Sequence, residues 1–259
     1  MSLRDKYLAY QGRHPRSRMV FVLGTGRAGT HWLGEIIASH PDVRATVEKP
    51  AIFRKVTEAA TNPSKQSRLL PRIIRRYRWE YAISAPRHYL DKSHPNIWLA
   101  EKLSASFPQA RFVCIRRNPY AVVASMLKHP GVLRWCQQWD RYPVPNPFLG
   151  IDRDNVKLYP RMSLPARCAL RWQSHDRQAD HLCDVLGDRF KLVNYEALIS
   201  DARPVLDELT GFLELRSTIP DVRPQPESLN KWRKVLSSSD CDDIWEVTGI
   251  SISDAPDAT

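Results

Sequence analysis

The chain has 259 residues and a formal net charge of +11, and it reads as one domain over residues 1–259, with a large core between about 19 and 236. No apolar run approaches the roughly 18 residues that a helical membrane span needs, so none is expected. Cys114, Cys136, Cys168, Cys183 and Cys241 are scattered, odd in number and without a C-x-x-C pair, which argues against zinc or a disulfide framework and suits a reducing cytoplasm.

In chain order, residues 1–18 are charged and lack an apolar core, so no signal peptide is expected there. Met19 to Leu23 reads as a buried strand. Gly24, Gly26 and Gly29 break it, and Thr30 to Ser39 reads as a helix. A glycine-containing turn from strand to helix offers backbone N–H groups and a positive dipole end to an anion. Two general phosphate loops compete for it. The dinucleotide fingerprint G-x-G-x-x-G is satisfied, with Glu48 about 20 residues beyond the loop, where a ribose-binding acid belongs. The ATP-type loop G-x-x-x-x-G-K-[ST] has its glycines in Gly24 and Gly29 but Thr30 where Lys is required.

Further along, Arg72, Arg75, Arg76 and Arg78 fall in one stretch that reads as a solvated helix face. The alternative is contact with an anionic acceptor such as an acidic glycan or a lipid headgroup. Trp79, Tyr81, Tyr89, Trp135 and Trp139 are candidates either for stacking on a sugar or flat ring, or for the core. Phe112 to Ile115 is a second buried strand, with Arg116 and Arg117 at its C-terminal end. Pro119 then opens a helix that carries Ser125 about two turns in. Residues 142–165 are Pro-rich and aperiodic, a long loop that reads either as an acceptor-side lid or as a passive connection. Leu164 to Leu186 resumes a helical period, with Trp172, Leu182 and Leu186 directed to the core. Val193-Asn194-Tyr195-Glu196 ends a third strand. Alternating strand and helix patterns favour an α/β fold with a parallel sheet and ligands at the strand C-termini.

Together these segments resemble the sulfotransferases that use 3′-phosphoadenosine 5′-phosphosulfate (PAPS). Arg27-Ala28-Gly29-Thr30-His31-Trp32-Leu33 resembles that family's 5′-phosphosulfate loop, with His31 in place of the commoner second hydroxyl. Arg117 and Ser125 match the Arg and the Ser eight positions later that clasp the 3′-phosphate. His40-Pro41-Asp42-Val43-Arg44 followed by Glu48 is similar to the tyrosylprotein and bacterial branches, where a Glu at this place is the catalytic base. Asp91-Lys92-Ser93-His94-Pro95-Asn96 resembles the family's Lys followed closely by Pro, with one residue more than the usual bacterial spacing. Tyr195-Glu196 resembles the pair that touches the adenine, and Asn230-Lys231-Trp232-Arg233 the basic segment that closes over the nucleotide.

The resemblance implies a P-loop-like three-layer α/β/α fold with a central parallel sheet. It also implies transfer of a sulfuryl group from PAPS to an acceptor hydroxyl, adenosine 3′,5′-bisphosphate as product, and no metal. Arg27 and Lys92 would neutralise the developing charge. The N–H groups of Ala28, Gly29 and Thr30, with the Thr30 hydroxyl, would hold the 5′-phosphate. Glu48 is the preferred base, needing only a modest upward pKa shift. His94, whose intrinsic pKa suits the task, is the alternative. The expected acceptor is a carbohydrate or glycolipid, then a small molecule. Part of the positive charge is expected to line the nucleotide cleft, and no nucleic acid is expected as partner. An NAD(P)-dependent dehydrogenase would leave Arg117, Ser125 and residues 231–233 without a role. A basic nucleic-acid-binding protein would leave the glycine turn unexplained, and a nucleotide kinase lacks the Walker lysine.

Overall fold

The computed structural model describes residues 16–223 and 226–254, so most of the charged N-terminal stretch lies outside the described residues. Five parallel strands form one sheet: β1 (Met19–Gly24), β2 (Val43–Val47), β3 (His88–Lys92), β4 (Arg111–Arg116) and β5 (Phe190–Asn194). Their order is β2-β3-β1-β4-β5. The flanking helices are α1 (Thr30–Ala38), α2 (Pro50–Thr61), α3 (Gln66–Ala82), α4 (Ala100–Ser106), α5 (Pro119–Leu127), α6 (Pro130–Gln137), α7 (Leu164–Leu186), α8 (Tyr195–Ser200), α9 (Ala202–Leu213), α10 (Glu227–Asn230) and α11 (Ser238–Thr248).

β1 lies at the centre, which is why it reads as an unbroken apolar run rather than an alternating one. Val20 and Val22 face one layer, with Leu33 of α1 and Val122 of α5. Met19, Phe21 and Leu23 face the other, with Ile73 and Tyr77 of α3 and Leu103 of α4. β4 splits in the same way, Val113 and Ile115 to the first layer, Phe112 and Cys114 to the second. The architecture is therefore the expected three-layer, P-loop-like α/β/α. α7 spans both layers, with Trp172 in the first core and Leu182 and Leu186 in the second.

Residues 142–165 are irregular, but their middle is packed. Phe148, Leu149, Ile151 and Tyr159 form a small buried cluster, and the Asn146 amide donates to the Thr61 carbonyl at 3.0 Å. Two of the aromatic candidates are core residues: Tyr81 and Tyr89 are fully buried, their hydroxyls held by the Ser17 carbonyl and Thr46. Trp139 packs on Tyr159, and Trp79 stands exposed under the Arg76 guanidinium.

Candidate functional site

The strand C-termini of β1, β2, β3 and β4 converge on one cleft of about 520 Å³. Its floor is the turn after β1. Arg27 has φ 80° there, a left-handed backbone that a non-glycine residue adopts at a cost. Gly29 has φ 100°, and a Cβ at this position would stand 2.7 Å from the Tyr195 ring, so the position needs glycine twice over. The amide of Ala28 is already spent on the Thr25 carbonyl at 3.0 Å, so it is not among the free donors. No backbone carbonyl of the described residues accepts from Gly29, Thr30, His31 or Trp32, which leaves these four N–H groups at the start of α1 aimed at the cleft. His31 is exposed and lies 3.2 Å from Glu35.

Lys92 ends β3, paired in register with Val22 of β1 on one side and Val47 of β2 on the other. Its ammonium is buried and ion-paired with Glu48. Glu48 itself has φ 45°, and its N–H donates to the Lys92 carbonyl at 2.8 Å, which fixes the two side chains toward each other. His94 Nδ1 lies 3.4 Å from the same carboxylate oxygen. Arg44 and Lys49, the natural surface partners for Glu48, instead pair with buried Glu80.

The electrostatics differ from the sequence expectation for both candidate bases. Burial raises the Glu48 carboxyl, but hydrogen bonds from His94 and Lys92 outweigh it and hold the pKa at about 2. Burial pushes His94 down to about 4 against the pull of Glu48. Burial also lowers Lys92. Both candidate bases are thus deprotonated at neutrality. They differ in access: the Glu48 side chain is 34% exposed and His94 8%. His94 Nε2 is buried without a partner, under Gly26, where a Cβ would come within 3.1 Å of it. Gly26 therefore makes room for the imidazole.

Behind this pair Asp91 is fully buried, accepting from Tyr77 Oη (2.8 Å), Asn96 Nδ2 (3.0 Å) and Thr46 Oγ1 (3.0 Å). Burial outweighs those bonds and raises its pKa to about 6. Its members are spread along the chain from Thr46 to Asn96, so no local sequence pattern marks the network. It joins the end of β3 to the turn that carries His94, and so positions both Lys92 and His94.

At the far end of the cleft the two arginines after β4 part. Arg116 turns to Asp176 and Asp180 of α7, a structural pairing. Arg117 is half-buried, sits 4.0 Å over the face of Tyr195 and donates to the Ser228 carbonyl at 2.8 Å. It forms no ion pair within 4 Å among the described residues. Arg117, Ser125, Lys128, Lys231 and Trp232 line a second cavity of about 240 Å³. Ser125 bridges the two ends, accepting from Arg27 Nε at 3.1 Å. Tyr195 is buried, its hydroxyl 2.9 Å from Ser228 Oγ and its ring 5.8 Å from that of Trp32 in a T-shaped pair. Trp232 stacks on Tyr120, while Arg233 lies on the Trp232 ring and lines neither cavity.

On its other side the cleft reaches a shallower pocket through two shared residues, Glu48 and Phe53, with Pro50, Ala51 and Arg54 completing it. Phe53 packs on His94 at 5.6 Å between ring centres. Phe53 and Arg54 lie in the first turns of α2, five and six residues after Glu48, close in sequence but without a motif to mark them. Among the described residues no cluster of His, Cys, Asp or Glu could hold a metal ion. No helix of the described residues is long and apolar enough to cross a membrane.

A sequence profile described as the sulfotransferase family matches residues 19–219. A solved sulfotransferase domain from an olefin synthase of Synechococcus PCC 7002 shares the fold at TM-score 0.56 and 18% identity, covering 91% of this chain and 96% of that one. A sulfotransferase from Alicyclobacillus acidocaldarius does so at 0.51 and 18%, covering 91% and 97%. Among curated proteins, an uncharacterised one from Aquifex aeolicus is 24% identical over 226 residues, 78% of this chain and 26% of its own length. Nodulation protein NoeE of Sinorhizobium fredii is 27% identical over 139 residues, 46% of this chain and 33% of its own. The matches span between a quarter and a third of those two relatives.

Proposed function

This chain belongs to the sulfotransferase family, and from that premise we propose that it moves the sulfuryl group of PAPS to an acceptor hydroxyl and releases adenosine 3′,5′-bisphosphate. One observation carries the reading. Two separate anion sites, the turn at Gly29 and the Arg117 cavity, share one cleft and are joined by the Arg27–Ser125 hydrogen bond. A dinucleotide has no need of the second site, and Glu48 is committed to Lys92 rather than free for a ribose.

In this reading the free N–H groups from Gly29 to Trp32 and the Thr30 hydroxyl hold the 5′ end. Arg117, Ser125 and Lys231 hold the 3′-phosphate, with Trp232 as its wall. Sulfuryl transfer needs positioning and charge neutralisation, as phosphoryl transfer does. The acceptor oxygen bonds to sulfur as the bridging S–O bond breaks. Arg27 and Lys92 neutralise the charge that builds on the leaving oxygen, and Glu48 takes the acceptor proton. Glu48 is chosen over His94 because it lies where the donor cleft and the shallower pocket meet, whereas His94 is covered. Lys92 leaves Glu48 for the donor's anionic oxygens, which raises the carboxylate's basicity as its ion pair is lost.

The acceptor side, where Phe53 stands with Glu48 between the two pockets and Trp135 lines the main cleft, suits a carbohydrate or glycolipid hydroxyl, with a small molecule second. The described residues act as one catalytic domain, and five thiols without a disulfide suit the cytoplasm. The test is calorimetric titration with adenosine 3′,5′-bisphosphate, with NADH and ATP alongside. Micromolar or tighter binding of the bisphosphate is expected; binding of NADH in its place overturns the reading.

A further inference from the structure

Residues 49–87 hold ten Lys and Arg against two acids, Glu58 and Glu80, a net +8 of the chain's +11. Most of the excess charge therefore lies on the α2–α3 hairpin and its flanks. Of the outer face, only Arg68 meets either acid, and at long range. Glu80 is buried and neutralised by Arg44, Lys49 and Arg76, and Glu58 is paired with Lys65 and, at 3.9 Å, with Arg68.

Along α3, Arg68, Arg72, Arg75 and Trp79, then Ile83 just past its end, succeed one another at steps of four, three, four and four. At about 100° per residue this places them within an arc of roughly 80°. All five are exposed, Trp79 at 49% and Ile83 at 46%. The opposite face, Leu69, Ile73, Tyr77 and Tyr81, is spent on the core. Ala82, Pro86 and Arg87 are exposed as well, so the stripe ends in an apolar tip rimmed by arginines.

We propose that this face of α3 docks the domain on an anionic lipid bilayer, with the arginines at headgroup level and Trp79 and Ile83 entering the interface. The charge supplies attraction to an acidic surface, and the tip distinguishes its source. A soluble polyanion needs only the cations and gains nothing from an exposed isoleucine. A bilayer uses both, since Trp and aliphatic side chains partition into the interface beneath a ring of basic groups. The inner face of α3 belongs to the core, so only the tip enters and docking is peripheral, reversible and salt-sensitive. The proposal is independent of the catalytic assignments above.

The test is co-sedimentation of the whole chain with vesicles of phosphatidylcholine alone and of phosphatidylcholine and phosphatidylglycerol in equal parts, with heparin-column retention as the soluble-polyanion control. Binding to the acidic vesicles alone, weakening with salt, is expected. Arg72→Glu with Arg75→Glu should weaken it by about 25-fold or more, some five-fold per lost cation. Trp79→Ala with Ile83→Ser should weaken vesicle binding while heparin retention stays as in the wild type. Circular dichroism and bisphosphate titration check that each variant is folded. If the wild type fails to bind acidic vesicles, or the Trp79/Ile83 variant binds them as the wild type does, the proposal is overturned; heparin retention in either case points to an acidic polymer.

Discussion

The two ends of the cleft are built on opposite electrostatic plans. At the Glu48 end the charges already satisfy one another: Lys92 is buried against Glu48, and His94 leans on the same oxygen. At the Arg117 end the cation has a carbonyl and an aromatic face but no carboxylate within 4 Å among the described residues. A cation partly withdrawn from water without a counter-ion carries a cost, and an arriving phosphate would relieve it. A buried pair must be parted before either member acts. In the proposed reading the Arg117 end serves binding and the Glu48 end chemistry, and substitutions should separate the two.

The sharpest separation is expected from Glu48→Gln. Removing a general base lowers kcat by about 10²–10⁴-fold, while affinity for adenosine 3′,5′-bisphosphate should persist. Steady-state rates beside calorimetric titration check this. An active Glu48→Gln with a dead His94→Ala would exchange the two roles.

Arg117→Ala should do the reverse. Loss of charge-assisted hydrogen bonds worth about 1.5–3 kcal/mol weakens bisphosphate binding by about 10- to 150-fold. The kcat at saturating donor should change far less. If kcat falls as much as affinity does, the two ends are not functionally separate.

Gly29→Ala attacks the wall between the ends. The new Cβ would meet the Tyr195 ring at 2.7 Å, and φ of 100° disfavours any side chain. Tyr195 has little room to retreat, being capped by Arg117 and tied to Ser228. The strain is about 1–3 kcal/mol, seen as a lower urea midpoint together with weaker bisphosphate binding. An unchanged midpoint would mean that the turn is more pliant than its contacts imply.

The Glu48 end and the Arg117 end were also unequally legible in the sequence. β1, its glycine turn, β4 and α5 could be read because burial on both faces, Gly and Pro leave local marks. Which of Arg116 and Arg117 enters the cleft is a matter of where α7 puts Asp176 and Asp180, some 60 residues away in the chain. Asp91 hid for the same reason: its partners Thr46, Tyr77 and Asn96 come from three elements. The pKa expectations for Glu48 and His94 failed because neither burial nor the meeting of Lys92 and His94 at one Glu48 oxygen is visible in a spacing. The charge and the Arg72–Arg78 stretch were countable, but which arginines share an exposed face with Trp79 and Ile83 follows only from how α3 packs on the core.

The smallest effect expected is a flat one, in the acid limb of kcat/KM. This quantity reports ionisations of the free enzyme, and there Glu48 titrates at about 2 and His94 at about 4. Loss of the base should therefore not bend the profile between pH 8 and 5. Stability has its own signs. His94 and His88, both held at about 4 by burial, bind protons less readily folded than unfolded, so their contribution to stability is lost as pH falls from about 6.5 toward 4. Asp91, raised to about 6, acts in the opposite sense: it binds its proton more readily when folded, and its contribution is lost as pH rises from 3.8 through 6. Of the three, only Asp91 could imprint an inflection on the rate near pH 6, through its position beside Lys92. Repeating the profile in Asp91→Asn separates the sources. An inflection that vanishes belongs to Asp91, whereas one near 6.5 that persists would mean that His94 is uncovered in the working enzyme and carries the proton itself.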